Sequence, residues 1–557
     1  MMLVASLGLL AQMAVVPAGD APSDQDVIRD ARSAQIRFER HRRANLPRKP
    51  GGSMGRPCDA LVGRFCYWYD STESDAEPEP KRIVEGRFHL LATLDSAARL
   101  TPDDPWIAGQ RVRYHLEADS SGAARRASGE CRADGWWCAA LTGLVHHVAQ
   151  EYRAADSAFT VALRTMPPRQ RCEWLDLSVI TDGRRSRAFR DAPCGARERM
   201  ADSTFTAAQP LWMIRGNDLR SEHLARLTMA RIHDRSANAY GTVFGDDNRE
   251  LMLRYGWSEW FTRHELPLSS FPNFAVTGHS RSPSYHFVPP ADRVNGPASD
   301  ESLRRLSESR ARTRYAPRHI ERLTQLSHQL ARFPRGDSML IVAAVAPVDT
   351  MLARDSWRAA LAVRRGDSVS VIASTRGRSL TGWVATDTMI VSVEALGDST
   401  RRAARSRYTI GPVDCSSWCL SDLLVVDAAR VDRSATPEAA VRAALTELRV
   451  PPGTSVGVYF ELAPAAAQGQ RPSAAATFTL TMTPVHVGLL RRAAARLRLA
   501  DRPEAVRMRW QAVVEGSPQL VAINVPASAR GRYLMRLSIT PRGAASISAS
   551  REIEIAR

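Results

Sequence analysis

The sequence predicts a multidomain α+β protein with an N-terminal α-helical repeat array, a small α/β middle domain and C-terminal antiparallel β-sandwich domains. Three observations lead to this fold class. The chain has 557 residues, more than one hydrophobic core supports. Apolar residues recur with a helical period in the first half and with a period of two after Ser338. Eight cysteines fall in four close pairs, as is typical of an exported, disulfide-bonded protein.

The first eighteen residues predict a signal peptide. Residues 2–17 carry no charge and are mostly Leu, Val, Ala and Met. The stretch is shorter than the ~20 apolar residues that a membrane helix needs. Small residues follow at Val16-Pro17-Ala18, where a signal peptidase would cut. We therefore expect a periplasmic or extracellular protein with no transmembrane span after cleavage. A buried N-terminal helix in a cytosolic protein is the alternative.

Residues 19–82 begin with a charged helical stretch and continue into a linker rich in Pro and Gly. An aromatic loop follows, in which Phe65, Tyr67 and Trp68 lie beside a short cysteine pair. Local cysteine pairs in an oxidising compartment favour disulfides, and buried free thiols or a metal site are the alternatives. The pairs are Cys58/Cys66, Cys131/Cys138, Cys172/Cys194 and Cys415/Cys419.

Residues 83–200 predict helices with short breaks. Within them the chain places Gly143, Ala155, Phe159, Ala162 and Pro167 at the offsets of a helix-hairpin repeat. Small side chains let two helices approach, the aromatic fills the groove to the next hairpin, and proline ends the second helix. Residues 83–168 thus resemble two to three tetratricopeptide repeats. An ordinary helical bundle is the alternative.

Residues 201–337 carry a second resemblance, over about fifty residues. A Pro-Leu turn, an acidic and Arg-bearing helix, and a predicted strand at 250–253 ending in Arg-Tyr-Gly follow one another. This order is similar to the GWxTD domain of exported bacterial proteins, although Val243-Phe244-Gly245-Asp246-Asp247 stands in place of the name-giving motif. The resemblance implies kinship and no activity. The matching residues are Pro210, Asn217, Glu222, Arg226, Phe244, Asp247, Arg254, Tyr255 and Gly256.

The rest of the chain predicts strands and a few helices. Alternating apolar residues, with turn signals between them, predict β-sandwiches at 338–465 and 472–557, or one larger sandwich. Apolar residues at helical spacing and a following Pro334 predict a helix at 317–333. Two further helices are predicted at 437–448 and 489–499.

No motif indicates a catalytic residue, a cofactor or a metal. His146 and His147 are adjacent, whereas a helical metal pair needs a spacing of three or four. Asp246, Asp247 and Glu250 supply too few oxygens for a calcium loop, and they are typical of a turn. No phosphate-binding loop or dinucleotide fingerprint occurs in the sequence.

Net charge is +17, from 76 basic and 59 acidic residues, which raises nucleic acid as a partner. Nearly all basic residues are Arg, with Lys only at 49 and 81, and they are spread along the chain instead of forming one stripe. We therefore expect no nucleic-acid binding.

These features favour a non-enzymatic interaction or scaffold protein of the bacterial envelope, with an unknown envelope protein or peptide as partner. The oligomeric state is left open. Stacked helical hairpins offer a concave face, which here would include Leu141, Leu144 and Val148 or their exposed neighbours. An exported hydrolase with its site in residues 205–300 is the alternative, and a purely structural envelope component is a third possibility.

Overall fold

The computed structural model describes residues 23–48, 58–68, 78–265, 274–280, 312–315, 317–366, 368–415, 418–432, 435–464, 474–485, 505–514 and 518–556. The predicted signal peptide and the predicted helix at 489–499 lie outside these residues. Helices form the first half of the described chain and strands form the second half. The chain is therefore a mixed α+β protein of several parts, as the sequence predicts.

Eleven helices make up the N-terminal half of the described chain. Among them, no helix combines the length and the apolar character that crossing a membrane requires. They are α1 Asp24–Asn45, α2 Lys81–Leu100, α3 Pro105–Glu117, α4 Ser121–Gly129, α5 Gly135–Val148, α6 Tyr152–Thr165, α7 Pro168–Trp174, α8 Gly183–Asp191, α9 Cys194–Ala208, α10 Asp218–His233 and α11 Asp246–Tyr255.

Local chemistry fixes several helix ends. The side chains of Ser23, Asp104 and Asn217 accept a hydrogen bond from a backbone amide in the first turn of α1, α3 and α10. Helix α11 carries two acidic residues in its first turn and ends at Gly256, whose φ of 90° favours glycine. The strand predicted at 250–253 is therefore wrong, because start and stop signals of a helix enclose it.

One hydrophobic core joins most of these helices. It runs from Ala108 in α3 to Leu253 in α11 and includes the tryptophans Trp136, Trp137 and Trp174. Helix α10 lies inside this core, and thirteen of its sixteen residues are buried. The helices before and after residue 200 thus share one core.

A buried ion network joins α1 to α3. Arg42 and Arg113 are almost fully buried, and both contact Glu39 and Glu117. The Tyr114 hydroxyl donates to Glu39 at 2.6 Å. The two guanidinium groups hold the pKa of Glu117 well below its ordinary value, against the effect of burial. Paired charges of this kind tolerate burial because each has a partner.

Two short hairpins accompany the helices. Strands β1 Ala60–Val62 and β2 Phe65–Tyr67 form the aromatic cysteine loop, and β3 Trp260–Glu265 pairs with β4 Phe274–His279. The first hairpin packs on α11, where the ring of Tyr67 stacks on Tyr255 with 3.8 Å between ring centroids.

Sixteen strands and two short helices form the C-terminal half of the described chain. The strands are β5 Arg322–Arg335, β6 Ser338–Pro347, β7 Trp357–Arg365, β8 Ser368–Thr375, β9 Ser379–Ala385, β10 Met389–Gly397, β11 Arg402–Ile410, β12 Trp418–Leu420, β13 Leu424–Val426, β14 Arg449–Val450, β15 Ser455–Pro464, β16 Ala474–Pro484, β17 Val506–Val514, β18 Pro518–Asn524, β19 Gly531–Pro541 and β20 Ile547–Ile555. The helices are α12 Thr350–Arg354 and α13 Pro437–Ala440, so the helix predicted at 437–448 is much shorter than expected.

Strands β5 to β11 form a seven-stranded, barrel-like sheet in the order β8-β7-β10-β11-β5-β6-β9. The side chain of Ile372 in β8 lies against Gly382 in β9, so the two ends of the sheet meet. This part differs from the predicted antiparallel sandwich, since the sheet curls around its own core and its β5–β11 pair is parallel.

Strands β12 to β20 form two further sheets that share one core. β15 pairs with β12, β13 and β18, and the second sheet has the order β14-β20-β19-β16-β17. Phe460 of the first sheet and Phe478 of the second meet inside this core. Strands on both sides of residue 465 therefore belong to one packing unit, whereas the sequence suggested a boundary there.

The helix predicted at 317–333 is wrong, because Arg322–Arg335 is a strand. Leu326 and Leu330 face the barrel core, whereas Ala331 and Phe333 face a second cluster shared with β13 and β15. A strand covered on both faces carries apolar residues at irregular spacing, which imitates the helical period. Pro334 and Gly336 end the strand at a tight hairpin rather than ending a helix.

Candidate functional site

The helix pair α5–α6 is built around one close approach. A Cβ atom added to Gly143 would lie 2.8 Å from the ring of Phe159, so only glycine permits this contact. Ala155 and Ala162 are fully buried in the same interface, and Pro167 follows the end of α6. The five residues of the repeat pattern therefore act together on one hairpin, and the tetratricopeptide assignment itself stays a prediction.

The face of α5 that the sequence offered to a partner is covered by the chain itself. Helix α10 packs across α5, and Leu141 and Leu144 have no exposed surface. Val148 is half-buried and lines a cavity at the end of α5. Leu141 and Leu144 are therefore not open to a partner, because α10 covers them, and a concave face at their exposed neighbours stays a prediction.

His147 and Glu222 form the centre of a polar cluster between α5 and α10. The His147 Nε2 atom lies 2.6 Å from a Glu222 carboxylate oxygen, and its Nδ1 atom lies 2.9 Å from the Ser221 hydroxyl. Arg226 donates to the other oxygen of Glu222 at 2.6 Å. These cationic and hydrogen-bonding partners lower the pKa of Glu222 to about 2, although burial acts in the opposite direction.

Asp218 lies one turn before this pair and is 1% exposed. Its carboxylate oxygen lies 3.5 Å from the Tyr315 hydroxyl and 3.8 Å from His319 Nε2. Burial raises the pKa of Asp218 to about 7 and lowers that of His319 to about 4. Asp218 is thus a carboxyl group that can carry a proton at neutral pH.

Ser221, His147 and Glu222 have the residue types of a hydrolytic triad, but their arrangement does not support that chemistry. Ser221 lies inside α10 with no exposed surface, and its hydroxyl donates to the carbonyl of Asp218. A nucleophile must reach a substrate carbonyl, and this hydroxyl cannot. The arrangement instead fixes α10 against α5.

A cavity of about 660 Å³ lies beside this cluster, where the helices, the β3–β4 hairpin and the start of the barrel meet. Half-buried aromatic side chains and charged groups form its walls, and a smaller pocket of about 90 Å³ between it and the His147–Glu222 pair shares several of the same residues. The residues that line the cavity include Val148, Phe244, Leu251, Trp257, Trp260 and Arg318.

The GWxTD-like residues hold the walls of this region together. Arg226 donates to the backbone oxygens of Leu253 at 3.0 Å and Arg314 at 2.9 Å, which joins α10, α11 and the segment 312–315. Arg254 donates to the backbone oxygen of Arg312 and to the Tyr255 hydroxyl, each at 2.7 Å. Gly256 ends α11 beside the Arg226 guanidinium.

The remaining GWxTD-like residues are spread over separate contacts. Asn217 caps α10, Phe244 stacks on His233 in the cavity wall, and the backbone oxygen of Pro210 accepts from Arg405 in the barrel. Asp247 binds Arg64 of the aromatic loop at 2.6 and 2.9 Å, and that guanidinium lowers the pKa of Asp247 to about 2. Asp247 is therefore a structural anion, and it forms no acid–base pair with Asp246.

The cysteines pair as the sequence predicts. Disulfides join Cys58 to Cys66, Cys131 to Cys138, Cys172 to Cys194 and Cys415 to Cys419, and no free cysteine remains. Four disulfides are typical of a protein exported to an oxidising compartment. Within the part of the chain that the structure describes, no group of three or more His, Cys, Asp or Glu side chains could hold a metal ion.

Most of the residues around the cavity carry no recognisable signal in the local sequence. Asp218, Tyr315 and His319 come from two segments about a hundred residues apart and carry no motif. One feature of the sequence could have indicated part of this site. In α10 the polar and apolar residues are mixed and form no separate polar face, which is typical of a helix that is buried on all sides.

Comparisons with known proteins assign neither a family nor a function. No family model matches the chain, and no curated protein matches it. One matching solved structure is a protein from Corynebacterium diphtheriae provisionally described as membrane anchored, at 11% identity and a TM-score of 0.15, with 42% of this chain aligned. Another is a DUF4785 family protein from Legionella pneumophila, at 9% identity and a TM-score of 0.14, with 41% aligned. The alignments span 59% and 55% of those chains. TM-scores this low do not establish a common fold.

Proposed function

We propose that the protein is an exported, non-enzymatic binding protein of the bacterial envelope. Its binding site is the cavity where the helices, the β3–β4 hairpin and the barrel meet, and its ligand is a short peptide segment of an envelope protein. The observation that carries the proposal is the cavity itself, whose volume of about 660 Å³ falls in the range of protein ligand sites.

The walls of the cavity suit a peptide with an apolar side chain. Phe244, Trp257 and Trp260 supply aromatic surface, which provides large contact areas with few rotatable bonds. Arg318 and Glu321 lie at the same cavity and can meet the polar backbone and charged side chains of a peptide. This combination of aromatic and charged groups favours a peptide over a purely apolar ligand.

The surrounding structure favours binding over catalysis. His147 and Ser221 have the residue types of a hydrolytic triad, but both make hydrogen bonds within the protein. Ser221 also has no exposed surface. The buried ion pair of Arg226 with Glu222 also holds the wall between α10 and the smaller pocket, which reduces the entropy that a ligand must remove on binding.

Photo-crosslinking tests the proposal. Leu251 is half-buried in the cavity wall, and a photoreactive benzoylphenylalanine at this position should crosslink to one envelope polypeptide in living cells. Val161 is 41% exposed on α6, away from the cavity, and the same substitution there is the matched control. A polypeptide captured only from position 251 supports the proposal. Equal capture from both positions, or none from position 251, contradicts it.

A second candidate function is an exported hydrolase, and the proton held by Asp218 favours it. A carboxyl group with a pKa near 7 has the protonation behaviour of a general acid, and buried Asp218 lies 3.5 Å from the hydroxyl of Tyr315, which lines the smaller pocket. Hydrolysis of cell-wall glycans or peptides by the wild-type protein, lost in Asp218→Asn but kept in Ser221→Ala, would establish this function. No turnover in either protein would exclude it for those substrates.

A further inference from the structure

The outer face of the last β-sheet carries an ordered set of hydroxyl and guanidinium groups. In β16, Phe478, Leu480 and Met482 point into the core, so Thr477, Thr479 and Thr481 point outward. Neighbouring strands follow the same alternation. On this sheet the outward positions near the centre are therefore Thr, Ser and Arg together with Gln511 and Leu534, and none is aromatic or acidic.

The strand register places three arginines together on this face. Arg507 of β17 pairs with Thr481, which pairs in turn with Arg536 of β19. Arg509 pairs with Thr479 in the next outward row. Strands β17 and β19 lie on either side of β16 and are therefore roughly 10 Å apart, and residues two positions apart along a strand are about 7 Å apart. The Cα atoms of the three arginines thus form a triangle whose sides are about 7 to 12 Å.

These arginines are exposed, and in the part of the chain that the structure describes none of the three forms an ion pair. The acidic residues of the same face lie at one end of the sheet. There Glu552 contacts Arg532 and Glu554 lies 3.8 Å from Arg449. The positions directly beside the triangle hold Ser538, Ser548 and Ser550, and the nearest carboxylate, that of Glu552, lies one row further along β20 and contacts Arg532. The centre of the face therefore has three arginines without a direct ion pair among the described residues.

We propose that this face binds a linear polyanion of the bacterial envelope, a polysaccharide or polyol chain with repeating carboxylate or phosphodiester groups. A guanidinium group binds either anion through two parallel hydrogen bonds. The hydroxyl of Thr479 beside Arg509 can donate a further one, whereas that of Thr481 donates to the backbone oxygen of Arg536. The sheet backbone is ordered by its ladder, so binding restricts side chains only.

The composition of the face argues against nucleic acid as the ligand. Proteins that bind single strands stack bases on aromatic side chains, and the aromatic residues of this sheet point into the core. Trp510 of β17 stacks on Phe478 there, and Tyr533 is 1% exposed. A polymer recognised through charge and hydroxyl groups alone fits better.

The test compares two triple variants with the same net charge. Arg507→Gln/Arg509→Gln/Arg536→Gln removes the charges of the face, and Arg37→Gln/Arg40→Gln/Arg82→Gln removes three exposed arginines from α1 and α2. Each variant has a formal charge of +14, which is three less than the wild-type +17. All six positions are exposed, so thermal unfolding should remain unchanged and will confirm folding.

The probes are alginate as the carboxylated polymer, poly(glycerol phosphate) as the phosphodiester polymer, dextran as the neutral control and a thymidine oligonucleotide. Calorimetry at two salt concentrations should give binding to one or both polyanions, weakened at least tenfold in the face variant and less than twofold in the helix variant. Comparison of the two polyanions identifies the anionic group. Equal weakening in both variants, no polyanion binding by the wild-type protein, or stronger binding of the oligonucleotide would overturn the proposal.

Discussion

The guanidinium group of Arg407 lies over the indole ring of Trp212, 3.7 Å from its centroid. This contact belongs to a buried joint between the helices and the barrel. Glu394 accepts hydrogen bonds from the backbone amides of Trp212 at 2.9 Å and Met213 at 2.8 Å, and it pairs with Arg407 at 3.3 Å. The Pro-Leu turn of the GWxTD-like segment is thereby fixed to the barrel through charged groups.

Glu394→Gln should destabilise this joint. The side-chain NH2 group of glutamine would face the backbone N–H of Trp212 or Met213, so two donors would meet. The substitution would also leave Arg407 buried without its counter-charge. Removing one partner of a buried ion pair costs about 3 to 5 kcal/mol, and urea unfolding should measure a loss of that order. Glu321→Gln is the control, since its pair with Arg401 is exposed and is worth less than about 1 kcal/mol. Equal small effects would mean that the joint contributes little to stability.

Gly143→Ala should destabilise the α5–α6 hairpin by about 1 to 3 kcal/mol, because the new methyl group would lie within 2.9 Å of the Phe159 ring. Gly122→Ala in α4 is the control. It meets only the end of the Arg126 side chain at 3.9 Å, so it should stabilise the protein by up to about 1 kcal/mol through helix propensity. Chemical unfolding measures both. Rescue of Gly143→Ala by Phe159→Leu would assign the loss to this contact, and stabilisation by Gly143→Ala would refute it.

Replacing both cysteines of the Cys172–Cys194 pair by serine should cost more stability than doing so at Cys415–Cys419. The first pair is 22 residues apart in sequence and the second pair is 4 apart. The entropy of loop closure gives about 3 kcal/mol for the longer loop and about 2 kcal/mol for the shorter one. Unfolding without reductant measures the two losses. A larger loss for the shorter loop would show that local packing, not loop closure, dominates.

The sequence was informative where one face of an element is buried and the other is exposed. The alternation of Tyr533, Met535 and Leu537 predicted β19, and the small residues Gly143 and Ala155 marked a tight helix pair that the structure contains. In these elements the period of the side chains follows directly from burial on one side.

The period of apolar residues was misleading where an element is covered on both sides. In strand β5, Leu330 packs in the barrel core and Phe333 packs in a second cluster on the other face. The apolar residues of this strand therefore do not follow a period of two. Helix α10 is buried all round, and its packing on α5 joins residues distant in sequence, such as His147 and Glu222. The cavity follows from such distant contacts, which no local pattern records.

Asp218 should make the stability of the protein depend on pH, in the direction opposite to that of an ion-paired carboxylate. Its pKa is about 7 in the folded protein, where burial penalises the charge, and 3.8 without that burial. A raised pKa means that the folded state binds the proton more tightly, so its stabilising effect is complete below pH 4 and is lost as the pH rises through 7. About three pKa units correspond to at most about 4 kcal/mol.

Asp218→Asn cannot ionise, so the variant should gain stability relative to the wild-type protein as the pH rises from 5 to 8. Urea unfolding at several pH values measures this difference. Buried His319, with a pKa near 4, stabilises the protein toward higher pH and lies 3.8 Å from Asp218, so the same comparison in a His319→Asn background separates the two effects. Parallel curves for the two proteins would mean that Asp218 stays ionised in the folded state, and the candidate hydrolase would then lose its proton donor.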